Sequence, residues 1–456
     1  MGGPVSATAW NDDTAAPRSP LVRALAIGVL AAVEAGAWSD RLLAARERRL
    51  ALPADRARLH ALVYATLRWM GAVDARLGPL VRAGLGSLDP RVRAALRLGA
   101  AEIFVLGHPA PLAVDAAVHA VRLAGAAPAT GLVNAVLRRL AVEGGVLDVT
   151  ATMPAWLASR WSARYGEDVA RALVEAANRP ARPFAVARDD RPGTSGIADA
   201  RDALARDFAG EGVATEPASR HPAGLVVTRG APQATDAFAA GRCVLLDEAA
   251  ALVALLASAV DGRPVADLAA APGGKAALIA QRSDGPVVAL EAVPTRARRL
   301  AQSLALRAPA GRTHVVHGDA LAPPLARHAF GSVLLDAPCS GTGTLRRRPD
   351  KRFRLAPGDI AACAVRQARM LDAAAPLVGP GGALVYAVCS LEPEEGEARL
   401  RDFLTRHREF IPADPSEILG AAGEGLVSGD PPALVTRPDR DGLDGFFAAR
   451  LVRAAA

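Results

Sequence analysis

Strand-like apolar runs alternate with helical stretches from Cys243 to the end of the chain, and this alternation constrains the fold more than any other feature. The runs cover residues 265–268, 287–290, 314–316, 333–335 and 383–386. The alternation predicts a mostly parallel sheet with helices on both faces. Because such sheets bind ligands beyond the carboxyl ends of their strands, the residues that end these runs are the first candidates for a functional site.

The preceding part of the chain has a different periodicity. Between Asp55 and Gly71, apolar residues recur at helical spacing, and the same pattern returns over 92–106 and 133–140. Ser19-Pro20 and Asp89-Pro90 each offer a helix N-cap followed by proline at the first helical position. Residues 20–142 are therefore predicted to form a helical bundle.

The whole chain is accordingly predicted to be multidomain, with an α part and an α/β part. Residues 1–19 have no basic n-region and are expected to be a flexible lead rather than a signal peptide. After the bundle, residues 143–242 are expected to be a linker and a small α/β subdomain, with a helical stretch over 154–177 and strands over 184–187 and 225–228. Residues 243–456 hold the predicted parallel sheet.

The composition gives weaker indications. Lys and Arg number 54 against 47 Asp and Glu, and this net charge of +7 favours a polyanionic partner. The four cysteines form no Cys-x-x-Cys pair, so a zinc site is not expected. So few cysteines are typical of a cytosolic protein with free thiols. The apolar run over 24–33 is shorter than the ~20 residues of a membrane span, so we expect a soluble, cytoplasmic protein.

The first predicted strand leads into a glycine-rich turn, with the sequence Val-Ala-Asp-Leu-Ala-Ala-Ala-Pro-Gly-Gly-Lys over 265–275. Gly273 and Gly274 allow a tight turn before a helix that begins near Lys275, and a helix N-terminus suits an anionic group. Glu291, at the end of the next strand, suits a pair of ribose hydroxyls. The pattern is neither Gly-x-Gly-x-x-Gly nor a P-loop, and taken alone a purely structural turn is an equally good interpretation.

A second motif, Leu-Leu-Asp-Ala-Pro-Cys-Ser-Gly-Thr-Gly over 334–343, puts Asp336 at a strand end and Cys339 in an irregular loop. Six cations follow between Arg346 and Arg354, which suit phosphate groups. The alternative interpretation is a solvated charge run beside a core cysteine.

A third motif brings a second cysteine to the same rim. Its sequence over 383–395 is Ala-Leu-Val-Tyr-Ala-Val-Cys-Ser-Leu-Glu-Pro-Glu-Glu, in which the strand ends at Cys389. We expect Glu392 and Glu394 to open the following helix, where acids favour the helix dipole. Isolated cysteines are usually inert apolar residues, but two at the ends of neighbouring strands over one crevice indicate chemistry.

Together the three motifs resemble the RsmB/Sun (Fmu) group of bacterial 16S ribosomal RNA cytosine-5 methyltransferases, within the Nop2/Sun family. Residues 132–140 and the helices before them resemble the NusB-type RNA-binding domain of this group, and residues 444–451 resemble its last strand. The resemblance covers nearly the whole chain apart from the lead. It implies a NusB-like helical bundle, a small α/β bridge and a Rossmann-like class I methyltransferase domain.

The resemblance also implies the roles of individual residues. Cys389 is implied as the nucleophile that adds to carbon 6 of the cytosine, Cys339 as the thiol that resolves the adduct, and Asp336 as a group serving both cofactor and base. The residues implied to hold S-adenosylmethionine are Ala269, Ala270, Ala271, Pro272, Gly273, Gly274, Lys275, Glu291, Asp319 and Asp336. The cations expected to contact RNA are Arg346, Arg347, Arg348, Lys351 and Arg352.

The chemistry explains why two thiols would be needed. Carbon 5 of cytosine becomes nucleophilic when a thiolate adds at carbon 6, and a second group must help to remove the carbon 5 proton and expel the thiol. DNA cytosine methyltransferases attack with the Pro-Cys cysteine, so the roles of the two thiols could be exchanged. The sequence departs mildly from the family pattern at Val388 and Ala276, where threonine is usual, and at Glu291, where aspartate is usual.

Other functions remain open at this point. The same chemistry could act on transfer RNA or large-subunit ribosomal RNA, although the NusB-like part favours 16S RNA, naked or in a partly assembled small subunit. A non-catalytic NusB-like antitermination or assembly factor is opposed by both cysteines and the Pro-Gly-Gly-Lys turn, and a nicotinamide oxidoreductase by the glycine pattern. We expect a monomer without a metal, and residues 420–441 have no interpretation.

Overall fold

The computed structural model describes residues 20–188, 196–258 and 261–455. The predicted lead over 1–19, with the proposed cap Ser19, lies outside the described residues. Within them the chain forms two compact units. The first comprises residues up to Pro180 together with Leu345–Arg354, and the second comprises Ala181–Thr344 together with the residues from Leu355 onward.

The first unit is helical, as the sequence predicts. Its helices are α1 (Pro20–Glu34), α2 (Ser39–Arg46), α3 (Pro53–Leu77), α4 (Pro90–Phe104), α5 (Ala110–Leu123), α6 (Thr130–Glu143), α7 (Ala155–Tyr165) and α8 (Glu167–Asn178). Leu59, Leu62 and Leu67 of α3 are almost fully buried, which confirms the face chosen from their spacing. Asp89 caps α4 by accepting a hydrogen bond from the Arg91 amide at 2.8 Å.

Close helix packing in this unit depends on small residues and buried ion pairs. A Cβ on Gly99 would lie 2.5 Å from the Cδ1 atom of Leu137, so glycine allows α4 and α6 to approach each other. Arg23 of α1 bonds Glu102 of α4, with 2.6 Å between Nη2 and Oε1, and both side chains are buried. The Glu102 carboxylate has a further partner in His108 at 3.1 Å, whereas the buried Nη1 atom of Arg23 has no hydrogen-bond partner among the described residues.

The boundary expected at residue 142 falls inside this unit. Helices α7 and α8, predicted as one stretch, are separated by Gly166 at φ +84°, and α8 packs against α3. The segment Leu345–Arg354 also belongs to the unit, although it follows the Cys339 motif in the chain.

Arg352 anchors that segment and is fully buried. Its Nη1 atom donates to the carbonyl of Arg68 at 3.1 Å and to Oδ1 of Asn178 at 2.8 Å, while Nη2 donates to the carbonyl of Ala177. Burial, with a smaller contribution from Arg68, lowers the pKa of Arg352 to about 9, so the guanidinium is still charged at neutral pH.

The prediction that Arg352 contacts RNA phosphate is therefore wrong for the structure observed, because the side chain is fully buried and its Nη1 and Nη2 atoms donate inside the helical unit. Arg346 is also buried, at 9% exposure, and its carbonyl accepts a hydrogen bond from Arg68. Arg348 is exposed, whereas Arg347 and Lys351 are half-buried. For these three the RNA contact stays a prediction.

The second unit begins with a small antiparallel sheet. Its elements are β1 (Phe184–Ala187), α9 (Ile197–Gly210), β2 (Ala214–Pro217), β3 (Gly224–Arg229), α10 (Asp236–Ala239) and β4 (Cys243–Leu246), with the strand order β2-β3-β1-β4. The predicted domain boundary between residues 242 and 243 would exclude β4 from this sheet. The structure instead pairs β4 with β1 over Cys243 to Leu246. Cys243 is completely buried in it.

The large sheet follows, with elements α11 (Glu248–Ala257), β5 (Val265–Asp267), α12 (Gly274–Arg282), β6 (Val287–Glu291), α13 (Pro294–Arg307), β7 (Thr313–His317), β8 (Phe330–Asp336), α14 (Pro357–Ala374), β9 (Val378–Val388), α15 (Glu397–Arg406), β10 (Phe410–Ala413), α16 (Ser416–Leu419), β11 (Val427–Ser428), β12 (Ala433–Thr436), α17 (Pro438–Asp441) and β13 (Phe446–Arg453). The strand order is β11-β12-β13-β9-β8-β5-β6-β7, with β10 also paired to β13.

Five neighbouring strands of this sheet are parallel, as the alternation predicts, in the order β9-β8-β5-β6-β7. Strand β13 pairs antiparallel with β9. Successive residues of a strand enter different cores. Leu334 and Val385 pack with α11 and α12, whereas Leu335 and Tyr386 pack with α14 and α15. This period of two confirms a sheet covered on both faces.

In the part of the chain that the structure describes, each helix falls short of the length or apolar character needed for a bilayer crossing. The same residues contain no group of three or more His, Cys, Asp or Glu side chains arranged to hold a metal ion.

Asp267 ends the central strand β5 with its carboxyl group buried. Burial and then the nearby Asp336 raise its pKa to about 7, although Lys275 and the Ala269 amide act in the opposite direction. The unfolded chain loses this proton near its ordinary value of 3.8, so the stabilisation is present at low pH and is lost as the pH rises through 7.

We therefore expect Asp267→Asn to flatten the pH dependence of unfolding. Between about pH 5 and pH 8 the free energy of unfolding of the second unit should fall less in the variant, by on the order of 2 kcal/mol. Denaturant titrations at both pH values measure this, with the exposed Asp319→Asn as control. Equal pH slopes for Asp267→Asn and the unaltered protein would contradict the assignment.

A second prediction concerns Arg352. Arg352→Met keeps much of the side-chain volume but leaves the acceptors of Arg68, Ala177 and Asn178 without their donor, which should lower the free energy of unfolding of the first unit by about 2–4 kcal/mol. Chemical denaturation followed by circular dichroism tests this. Arg348→Met makes the same change at an exposed position of the same segment and should shift stability by less than about 0.5 kcal/mol.

Candidate active site

The carboxyl ends of four parallel strands meet at one edge of the large sheet. Asp267 ends β5, Glu291 ends β6, Asp336 ends β8, and Cys389 follows the last residue of β9. The register of β8 against β9 places Asp336 opposite Ala387, two residues before Cys389. The structure therefore brings the ends of all three motifs together, as parallel strands require.

The turn after β5 is shaped for close approach. Gly273 has φ +110°, a left-handed conformation, and a Cβ there would lie 2.9 Å from the Cδ1 atom of Leu300. Helix α12 begins at the next residue, Gly274. Ala270 is buried, Ala269, Ala271 and Gly274 are half-buried, and Pro272 is exposed. Backbone rather than side chain thus lines the start of this helix.

The acids beyond this turn fit a ribose. Glu291 is 5% exposed, and its Oε1 atom accepts a hydrogen bond from the Val293 amide at 2.9 Å. Arg296 lies 3.3 Å from Oε2 of Glu291 and also donates to the carbonyl of Ala271 at 3.2 Å, which connects the acid to the turn. Asp319, after β7, is exposed. A tight backbone turn followed by carboxylates on the next two strands matches the groups needed for a nucleoside-containing cofactor.

Lys275 joins this region to the second motif. Its ammonium group donates to Oδ2 of Asp336 at 2.7 Å and lies 5.4 Å from the centre of the Phe446 ring. Burial alone would lower the pKa of Lys275, but the charges of Asp336, Cys389 and Asp267 outweigh burial and raise it. The ammonium group is thus a fixed positive charge near Cys389.

The two cysteines of the second and third motifs lie in direct contact. Their Sγ atoms are 3.3 Å apart, neither cysteine is in a disulfide, and both side chains are partly accessible. The Gly343 amide donates to the carbonyl of Cys389 at 3.2 Å, and the Ala337 amide to that of Ala387 at 2.8 Å. Burial raises the pKa of Cys243 to about 12, so that thiol stays protonated and unreactive.

Glu395, which no sequence pattern singled out, is completely buried and accepts hydrogen bonds from the residues that follow the two cysteines. The prediction that Glu392 and Glu394 open a helix is wrong, because α15 begins only at Glu397 and residues 392–396 form a turn. Glu395 ends the run Glu-Pro-Glu-Glu, where surface acids are the usual interpretation. No local signal distinguishes it from its neighbours, because two of its three partner residues, Ser340 and Gln367, are distant in sequence.

Solved structures share this fold. PH0851 superposes with a TM-score of 0.78 at 23% identity over 96% of this chain and 99% of that one. NSun6 from Pyrococcus horikoshii, crystallised with SFG, has a TM-score of 0.55 at 18% identity and covers 66% of this chain and 99% of its own. At these identities the likeness shows the fold alone.

Relatives of known name are more similar. The ribosomal RNA small subunit methyltransferase B of Thermus thermophilus is 36% identical over 96% of this chain and 98% of its own length. The protein of the same name from Xylella fastidiosa is 34% identical over 88% and 92%. The NusB family matches residues 21–142, and the family described as 16S rRNA methyltransferase RsmB/F matches residues 253–452. The chain belongs to this RsmB/F methyltransferase family and carries a NusB-family domain at its N-terminal side.

Proposed function

We propose that the protein methylates carbon 5 of a cytosine in 16S ribosomal RNA, with S-adenosylmethionine as the methyl donor and a covalent bond between Cys389 and carbon 6 of the base. The observation that carries this proposal is the contact between the Cys339 and Cys389 thiols, 3.3 Å apart beside the Lys275–Asp336 pair. A methyltransferase that modified an oxygen or an exocyclic nitrogen would have no use for two adjacent thiols.

The cofactor would be held by the turn from Ala269 to Lys275, with Glu291 and Asp319 as acceptors for its hydroxyl and amino groups, and it supplies an electrophilic methyl group. The arrangement of the turn and the acids supports this assignment. Asp336, which bonds Lys275 at 2.7 Å, contacts the cofactor and also stabilises the covalent adduct through ring nitrogen 3 of the cytosine.

The thiols carry the remaining steps. The Cys389 thiolate adds to carbon 6, which makes carbon 5 a nucleophile, and Lys275 favours the thiolate because its positive charge is close to Cys389. After methylation, the Cys339 thiolate removes the proton from carbon 5. The electrons of that C–H bond re-form the ring double bond, and Cys389 leaves as a thiolate.

The RNA substrate is supported by the family and by the relatives, whose names specify the small ribosomal subunit. The NusB-family part favours RNA binding by the first unit. The same chemistry on transfer RNA or large-subunit RNA is the alternative, and a comparison of unmodified RNAs as substrates would distinguish them. A cytoplasmic monomer stays a prediction.

The thiol roles are tested by labelled methyl transfer to unmodified 16S RNA. Cys389→Ala should lower the rate at least about a thousandfold, since the covalent step is lost. Cys339→Ala should instead accumulate a protein–RNA adduct that survives denaturing electrophoresis. Cys363→Ala removes a thiol from α14 and is the matched control. An adduct formed by Cys389→Ala would exchange the two roles, and full activity in both variants would exclude covalent catalysis.

The RNA contact is tested at Arg348, the exposed cation of the Leu345–Arg354 segment. If it contacts a phosphate, Arg348→Ala should weaken RNA binding and reduce the slope of log affinity against log salt by about 1. Filter binding over a salt series measures both. The exposed Arg408→Ala removes the same charge elsewhere and should leave the slope unchanged. Identical slopes for Arg348→Ala and the unaltered protein would remove Arg348 from the interface.

A further inference from the structure

Glu395 is a fully buried carboxylate placed between the two loops that carry the thiols. Its Oε1 atom accepts hydrogen bonds from the Ser340 amide at 2.8 Å and from Nε2 of Gln367 at 3.0 Å. Its Oε2 atom accepts from the Ser390 hydroxyl at 2.5 Å and also from the Ser340 hydroxyl. These four donors are neutral groups, and three of them belong to the residues that directly follow the cysteines.

The position of the two serines gives this network its significance. Ser340 follows Cys339 and Ser390 follows Cys389, so one carboxylate oxygen connects the two thiol loops. The serine hydroxyls are also within 3.1 Å of each other. Gln367 of α14 donates to the carbonyl of Pro338 as well as to Glu395, which fixes the residue before Cys339. The backbone on both sides of Cys339 is therefore tied to a single buried charge.

A buried carboxylate connects two loops only at a cost in desolvation free energy. Removing its charge from water is unfavourable, and the loss is offset only if several well-placed donors surround it. A neutral side chain such as glutamine has one acceptor oxygen in place of two and presents an NH2 group to donors. In the variant that NH2 group would face the Ser340 and Ser390 hydroxyls, which would have to turn from donating to accepting. The charge-assisted hydrogen bonds from both loops to one shared oxygen would be lost, and the two loops could then separate.

We propose that Glu395 is a positioning residue that sets the distance between the Cys339 and Cys389 thiols, acting through Ser340 and Ser390. The importance of that distance for methyl transfer rests on the proposed function. A change in that distance can be detected through the rate of disulfide formation, a reaction that needs neither RNA nor cofactor. Hydrogen peroxide converts two adjacent thiols to a disulfide, in which the two sulfurs lose two protons and two electrons and the peroxide is reduced to water.

The experiment compares the full-length Glu395→Gln variant with the unaltered protein and with Glu417→Gln, the same substitution at an exposed position of the second unit. Each fully reduced protein is treated with peroxide, and the Cys339–Cys389 disulfide is followed by mass spectrometry. We expect its formation to be about tenfold slower in Glu395→Gln, while Glu417→Gln behaves as the unaltered protein. In methyl transfer, the kcat of Glu395→Gln should fall by about tenfold or more, with the KM for S-adenosylmethionine unchanged.

If Glu395→Gln does not fold, Ser390→Ala provides a milder test, because it removes one hydroxyl and keeps the carboxylate. It should give a smaller decrease in the same two rates while binding S-adenosylmethionine normally. Unchanged disulfide formation in a folded Glu395→Gln or Ser390→Ala variant would overturn the proposal. Lack of methyl transfer by the unaltered protein would contradict the proposed function, but the peroxide rates would still decide the role of Glu395.

Discussion

The hydrogen-bonded register between β8 and β9 determines where the two cysteines of the proposed mechanism lie. Because the two strands are parallel and Asp336 lies opposite Ala387, the loop after β8 and the loop after β9 leave the sheet at the same height. Each loop reaches its cysteine within three residues of the strand end, so the two thiols are held close to each other. Lys275 approaches the same place from α12, because β5 pairs with β8 in the same parallel sense.

This dependence explains why much of the site could be predicted from the sequence. A strand that ends in Asp336 and a strand that ends at Cys389 both show in local patterns, and the parallel topology then fixes their proximity. The turn at Gly273 is equally local. What the patterns could not give was the distance between the thiols, which we propose is set by Glu395. Besides the nearby Ser390, that residue contacts Ser340 and Gln367 across long stretches of chain.

The errors had the same physical origin. Arg352 lies in a run of cations, and its sequence context is that of a solvated segment, yet its partners come from α3 and α8. The alternating pattern predicts a new domain that begins at Cys243, but that residue begins β4 of the small sheet. Residues 420–441, which had no interpretation, contain the short strand β12 paired to β13 and the two-residue strand β11 paired to β12. Short edge strands carry too few residues for their period to be recognised.

The path of the chain through Leu345–Arg354 has a consequence for the modular history of this protein. The helical unit is discontinuous in sequence, since it takes ten residues from the middle of the methyltransferase part and anchors them through Arg352. A gene fragment that ended at Pro180 would encode its helices without that segment. Exchange of the helical part by simple recombination would thus leave the carbonyls of Arg68 and Ala177 without the donor that Arg352 supplies. The two parts are therefore expected to be inherited together.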